Sequence, residues 1–372
     1  MDAMNARSTS RGLLSAGVLW LCAGCGATSA PSGLDAGADG ARADVVRDVA
    51  SEPDASEPSF EDVFFPAVDA AVGDAGDAGG ARDAGARRGP PYPVILHHGF
   101  AGFRDIGPLN YYFNVARDLR GRGETVHEAE VTPFDSPAAR ARQLAAFVDR
   151  VRDERNSEKV VIIAHSQGGL DSRYMISTMG YGDRVALLVT VSTPHRGTRV
   201  ADTTLGFVPG ATEAFINAIA TLFAWTYNEA RTRMDLNAAL VGLSEREATA
   251  FNAANRDDPR VRYWSWAGRS HLRTGAAVCG DARYPNEPLR VDPTFLPLAP
   301  FAALIEGFDP LNNVNDGMVS VQSARWGEFQ GCVPADHFDE VGQIAHTGAI
   351  ASGFDHIAFY RRIVSDARAA GY

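Results

Sequence analysis

The run Lys159-Val160-Val161-Ile162-Ile163-Ala164-His165-Ser166-Gln167-Gly168-Gly169 constrains this chain more than any other. Val160 to Ile163 are four β-branched residues without polar alternation, the pattern of a strand covered on both faces. The run breaks into small residues around one serine and re-emerges as Leu170-Asp171-Ser172-Arg173-Tyr174-Met175, which reads as a helix. A strand, a tight turn with serine at its apex and a helix together describe a nucleophile elbow. Small neighbours are needed because strand and helix crowd such a serine. Ala164 stands where Gly is commoner, and Gly168 and Gly169 let the helix start pack close. An A-x-S-x-G pentapeptide is weak evidence by itself; its place between a buried strand and a helix gives it weight.

The surrounding pattern extends the reading. Tyr92–Leu96 is expected as a strand leading into His97-His98-Gly99-Phe100, with a helix near Leu109–Arg120 and a strand over Thr125–Val131. Ser136 before Pro137 marks a helix start, and Leu144, Phe147, Val148 and Val151 follow at i, i+3, i+4, i+7. Val185–Val191 and Val261–Trp266 are further strands, and Phe354–Ala369 a final helix. Strands alternating with helices imply an α/β fold, a mostly parallel sheet with helices on both faces, within one domain of residues 91–372. A long excursion, Thr198–Pro259, interrupts it. Inside, Phe215, Ile219, Leu222 and Phe223 share one face of a helix over Ala211–Tyr227. Two readings stay open: a lid whose apolar face meets lipid, or an amphipathic helix buried on the sheet.

The first 90 residues belong to other classes. Arg7 and Arg11 precede a short apolar core, Gly12 to Gly24, too short to span a bilayer, so residues 1–25 read as an export signal. Cys22-Ala23-Gly24-Cys25 resembles a lipobox, which would leave Cys25 as a lipidated N-terminus anchoring the protein to a membrane; the alternative is cleavage after Ala30 and free secretion. Residues 26–90 repeat Asp-Ala-Gly. Residues 31–90 carry thirteen acidic residues against five arginines, a net of −8 of the chain's −11, so a disordered acidic tether is expected. Nothing is basic enough for nucleic acid. In an oxidising compartment the two remaining cysteines, Cys279 and Cys332, are expected to form a disulfide.

A serine hydroxyl is a poor nucleophile until a base takes its proton, and the base needs an acid to fix its tautomer. After a nucleophile elbow the chain order is Ser, acid, His. Asn315-Asp316-Gly317 is a tight turn presenting a carboxylate, and His337 lies in Asp336-His337-Phe338-Asp339-Glu340. His346 lacks a distinctive context, and His356 falls on the last helix. The candidate triad is therefore Ser166, Asp316 and His337. Two N–H donors must hold the oxyanion: that of Gln167, just after the nucleophile, and that of Phe100, beside Gly99, which permits close backbone approach.

The segments Tyr92–Gly99, Ala164–Tyr174, Ser192-Thr-Pro-His-Arg-Gly197, Asn315–Ser320 and His337–Gln343 together resemble the secreted true lipases of Pseudomonas and Burkholderia, across nearly all of 91–372 and in the family's order. The resemblance implies an α/β-hydrolase fold and triacylglycerol hydrolysis at a lipid interface, with Ser166, Asp316 and His337 on the family's triad and no organic cofactor. It also implies one structural calcium ion, with Asp339 and Asp292 as carboxylates and carbonyls near Gln343 and Thr347, and a dedicated lipase foldase as partner. This chain departs from the family in its acidic tether, its lipobox and its cysteine placement, Val321, Gln322 and Ser323 standing where a cysteine is usual. A short-chain esterase or polyester hydrolase with the same triad, and a non-catalytic surface binding module, are the competing functions.

Overall fold

In the computed structural model the described residues are 87–103, 105–106, 109–207, 235–270, 276–279, 292–343 and 352–372. They fall within one compact unit, Gly80–Tyr372. The signal, Cys25, most of the tether, the helix expected over 211–227, His346 and Thr347 lie outside them. Contacts begin before the expected boundary at Pro91. Arg88 donates its N–H to Asn156 O and accepts from Glu158 N.

The strands are β1 (Val94–His97), β2 (Asp105–Ile106), β3 (Leu109–Asn110), β4 (Val126–Ala129), β5 (Val160–His165), β6 (Val185–Val191), β7 (Arg262–Gly268) and β8 (Glu328–Val333). Six form one sheet in the order β4-β1-β5-β6-β7-β8, every pair parallel, and β2 and β3 make a small antiparallel hairpin. The apolar run of β5 is explained by two covered faces. Val161 and Ile163 join a core with α1 (Val115–Gly121) and the last helix, while Val160, Ile162 and Ala164 join a core with α2 (Pro137–Arg155) and α3 (Gln167–Ser177).

The capping chemistry matches expectation. Ser136 Oγ accepts from Ala139 N at the start of α2, and Leu144, Val148 and Val151 are fully buried. Each such side chain adds roughly 1.5–3 kcal/mol of burial. The excursion after β6 contains α4 (Arg199–Thr204), α5 (Leu236–Leu243) and α6 (Glu245–Ala254). Beyond β7 come α7 (Ala276–Cys279), α8 (Ala299–Glu306) and α9 (Val321–Ala324), and α10 (His356–Ala369) ends the chain, capped by Asp355.

Three expectations need correction. The segment Leu109–Arg120 is helical only from Val115; its first residues pair in the hairpin. The final helix begins at His356, because Asp355 caps it. β8 had not been anticipated, since Glu328-Phe-Gln-Gly-Cys-Val333 lacks a β-branched run and holds a buried Gln330. The disulfide joins Cys279 to Cys332, with Cα atoms 5.9 Å apart, and ties β8 to α7. The carboxyl ends of β1, β5, β6 and β8 converge on one edge, the usual place for a site in a parallel sheet.

Candidate active site

Ser166 sits between β5 and α3 with φ 54° and ψ −131°, a conformation disfavoured for a residue with a Cβ. The neighbours hold it there. Its N–H donates to Val191 O at 2.9 Å, and Thr193 Oγ1 donates to its carbonyl at 2.8 Å. A Cβ at Gly168 would lie 2.8 Å from the carbonyl oxygens of His97 and His98, so only glycine lets α3 start this close to β1.

His337 follows β8. Its Nε2 lies 3.0 Å from Ser166 Oγ, and its Nδ1 lies 2.8 Å from Asp316 Oδ2. With Nδ1–H donating to the carboxylate, Nε2 is left to accept from the serine hydroxyl. Burial works to raise the Asp316 carboxyl. The charge and hydrogen bond of His337, with the N–H groups of Val319 and Met318 on Oδ1, outweigh it and hold the carboxyl below its ordinary range. The Asn315-Asp316-Gly317 turn is closed by Gly317 N donating to Asn315 Oδ1, with Gly317 at φ 95°. The sequence-predicted serine, acid and base are thus brought together from three separate segments. His356 is elsewhere, its Nε2 on Phe113 O.

Glu340 was not anticipated. Fully buried, it accepts from Ser192 Oγ at 2.6 Å and lies 3.0 Å from His165 Nε2. Burial, then the charge of Asp316, pushes its carboxyl well above the usual range. The His165 ring lies against that of His337, centroids 4.5 Å apart and planes tilted by 42°. The string Asp336-His-Phe-Asp-Glu340 offers three carboxylates, and no periodicity singles out the one that turns inward.

The two expected oxyanion donors flank the serine. Gln167 is the first residue of α3, where a helical N–H has no intrahelical acceptor. The loop after β1 lies against the nucleophile: a Cβ on Gly99 would be 2.6 Å from Ser166 Cβ. The Phe100 ring meets Phe134 edge-on and packs with Leu170, Ala201 and Leu243.

A second cluster lies beside the base. Ligand atoms of Asp292, Asp336 and Asp339, all buried, lie within 4.8 Å of one another. Among the described residues, neither oxygen of Asp292 has a well-formed hydrogen bond. Burial, then Asp336 and Asp339, pushes its carboxyl up to about 8, with Arg269 acting the other way. Asp336 was missing from the expected set; its Oδ1 accepts from Phe338 N and Asp339 N, and its Oδ2 from Phe295 N. The Gln343 side chain donates to Tyr111 O, which leaves its carbonyl as the group to consider. A buried acidic cluster with an orphaned carboxylate fits a hard cation.

Residues 92–244 match the alpha/beta hydrolase fold family. The chain is 29% identical over 320 residues to a triacylglycerol lipase of Pseudarthrobacter phenanthrenivorans, covering 75% of this chain and 97% of the relative. A triacylglycerol lipase of Burkholderia plantarii is also 29% identical, with 75% and 87% covered, and one of Pseudomonas fragi 28%, with 68% and 89% covered. The Staphylococcus hyicus lipase structure superposes with TM-score 0.55 at 19% identity, over 76% of this chain and 100% of that one, a likeness of fold. Residues 92–244 therefore carry the α/β-hydrolase fold, and across its described core the chain is similar to the triacylglycerol lipases of Pseudarthrobacter, Burkholderia and Pseudomonas.

Proposed function

We propose that the protein hydrolyses acylglycerol esters through an acyl-enzyme on Ser166. Ser166 Oγ attacks the ester carbonyl carbon as its proton passes to His337 Nε2. The carbonyl oxygen gathers negative charge, which the N–H groups of Phe100 and Gln167 receive. Collapse breaks the C–O bond, and the leaving alkoxide takes the proton from His337. Water then repeats the sequence on the acyl-enzyme, releasing fatty acid and restoring the serine. Asp316 holds the imidazole tautomer and balances the imidazolium formed at each step. The observation that carries this reading is the unbroken path from Asp316 Oδ2 through His337 to Ser166 Oγ, at 2.8 and 3.0 Å.

Preference for water-insoluble substrate is supported by the segment between Asp292 and Asp316, which exposes Leu296, Phe308 and Leu311. Buried Asp292 and Asp339, with Asp336 beside them, are the residues that would hold calcium. Bound there, the ion would neutralise their charge and tie the loop carrying His337 to the segment before Asp316. We further infer export, by the N-terminal signal, with lipidated Cys25 as a membrane anchor; the disulfide fits an oxidising compartment. Hydrolysis of p-nitrophenyl esters of short and long chains, with Ser166→Ala as control, tests the reaction. A Ser166→Ala protein as active as the parent would refute it. Activity confined to short, soluble esters would favour the carboxylesterase reading.

A further inference from the structure

Arg140 is among the largest wholly buried side chains, although it stands on α2 and carries a charge. Burying a guanidinium is costly unless its donors are used, and here they reach three segments, the loop after β1 among them. Nε donates to Asp171 Oδ2 at 2.7 Å, and Asp171, on α3, is also 3.0 Å from His97 Nε2. Nη1 donates to the carbonyls of Thr132 and Pro133. Nη2 donates to His98 O at 2.8 Å and to Gly99 O at 3.2 Å.

The Gly99 carbonyl is held by more than Arg140. Gly102 N donates to it at 3.2 Å, and His98 Nδ1 lies 3.0 Å away. The His98 tautomer follows from its other nitrogen. Nε2 accepts from Val131 N at 3.3 Å, so Nδ1 carries the proton and donates. On the opposite side lies the Tyr111 hydroxyl, which is 2.7 Å from His165 Nδ1 and which a Cβ on Gly99 would approach to 3.0 Å. The Gly99 carbonyl is therefore committed on one side. The peptide joining Gly99 to Phe100 is one plane, in which C=O and N–H point in opposite directions. Fixing the Gly99 oxygen toward Arg140 and His98 fixes the direction of the Phe100 N–H away from them. The loop itself is pressed onto the nucleophile, since a Cβ at Gly99 would meet Ser166 Cβ at 2.6 Å and His165 O at 3.0 Å.

We propose that Arg140 is a positioning residue for the oxyanion hole: its planar fork locks the Gly99 carbonyl and so presets the Phe100 N–H toward the ester oxygen. This rests on the reading of Ser166 as nucleophile. Preorganised donors act only on the charge that develops in the transition state. Loss of the clamp therefore lowers kcat, while KM for a small soluble ester stays nearly unchanged. A residue that merely fills the space between α2 and α3 would lower stability without that split.

The test compares Arg140→Met, Arg140→Lys, Tyr111→Phe and Ser166→Ala in the full chain, on a soluble p-nitrophenyl ester. A second readout is inhibition by an alkyl boronic acid, whose tetrahedral serine adduct places an oxygen in the hole. For Arg140→Met the expected loss in kcat is on the order of 10²-fold, the size of one missing oxyanion donor, with KM within about threefold. Boronate affinity should fall in step with kcat. Arg140→Lys keeps the charge facing Asp171 but replaces the fork with a point donor, so a loss of roughly tenfold is expected. Tyr111→Phe should move kcat and boronate affinity in the same direction by a smaller factor. Should Arg140→Met fail to fold, Arg140→Lys decides on the same criteria. Folded Arg140 variants with parental kcat, or with a rise in KM alone, overturn the proposal. If Ser166→Ala is inactive in the same assay, such a result removes the clamp and leaves the nucleophile. If Ser166→Ala stays active, the reaction itself has been misassigned.

Discussion

In the proposed mechanism, removing the Ser166 hydroxyl takes away the atom that forms the bond and leaves a small side chain in the strained turn. Ser166→Ala and His337→Ala should each lower turnover by several orders of magnitude, with residual hydrolysis of roughly 10³ to 10⁴ over water from the rest of the site. Asp316→Asn leaves the bond-forming atoms in place but loses the acceptor that fixes the His337 tautomer. Its expected loss is on the order of 10²- to 10⁴-fold in kcat, read beside an unchanged far-UV spectrum. At this scale the sequence was most legible where chemistry and backbone agree. Ser166 stands at a turn that only small neighbours permit, and Asp316 stands between Asn and Gly. Glu340, Asp336 and Arg140 were not legible. Each looks like a solvated charge in sequence, and each is buried because a distant segment supplies its partners: Ser192 and His165 for Glu340, Phe295 for Asp336, the loop after β1 for Arg140.

β8 carries much of the site's rigidity, since it leads from Cys332 into Asp336, His337 and Asp339. Two constraints meet there. The disulfide spans 53 residues of sequence. In the chain-entropy view, closing a loop of that size contributes about 4 kcal/mol, so replacing both cysteines by serine should lower the melting temperature sharply, as calorimetry would read it. The acidic cluster supplies the other constraint. EGTA should lower melting temperature and activity together, and calcium should restore both. Magnesium should restore little, because it demands tight octahedral geometry and dehydrates reluctantly. Asp339→Ala should mimic the chelated state and respond no further to EGTA; a variant as stable as the parent would remove the metal from the proposal. The strands with unbroken apolar runs, β5 and β6, were readable because both their faces are covered. β8 was not, because Gln330 and Gly331 interrupt its apolar signal while its neighbour in the sheet, β7, still pairs with it.

Across the folded unit, His97, His98, His165 and His195 are all buried and held below the usual histidine range, in every case first by burial. For His98 and His195 neighbouring arginines add to it. These rings bind fewer protons folded than unfolded, so their contribution to stability is complete above the unfolded value near 6.5 and is lost as pH falls below it. Each proton taken up on unfolding steepens the loss by about 1.4 kcal/mol per pH unit. Asp292 and Glu340, whose carboxyls burial raises, bind protons in the folded state and act the other way, so the test is a difference: between pH 7 and pH 5 a folded His195→Gln variant should lose less melting temperature than the parent, and an unchanged slope would contradict the assignment. The net charge of −11 plays a smaller part in the folded unit, because −8 of it belongs to residues 31–90. In the proposed function the activity turns on a single atom, Ser166 Oγ. The most direct measurement is intact and peptide mass spectrometry after reaction with a fluorophosphonate, alongside residual esterase activity. One adduct per chain on the Ser166 peptide, rising in proportion to the activity lost and absent from Ser166→Ala, is the expected result. Full inactivation with the adduct on another residue, or an unmodified Ser166 in a dead enzyme, would contradict it.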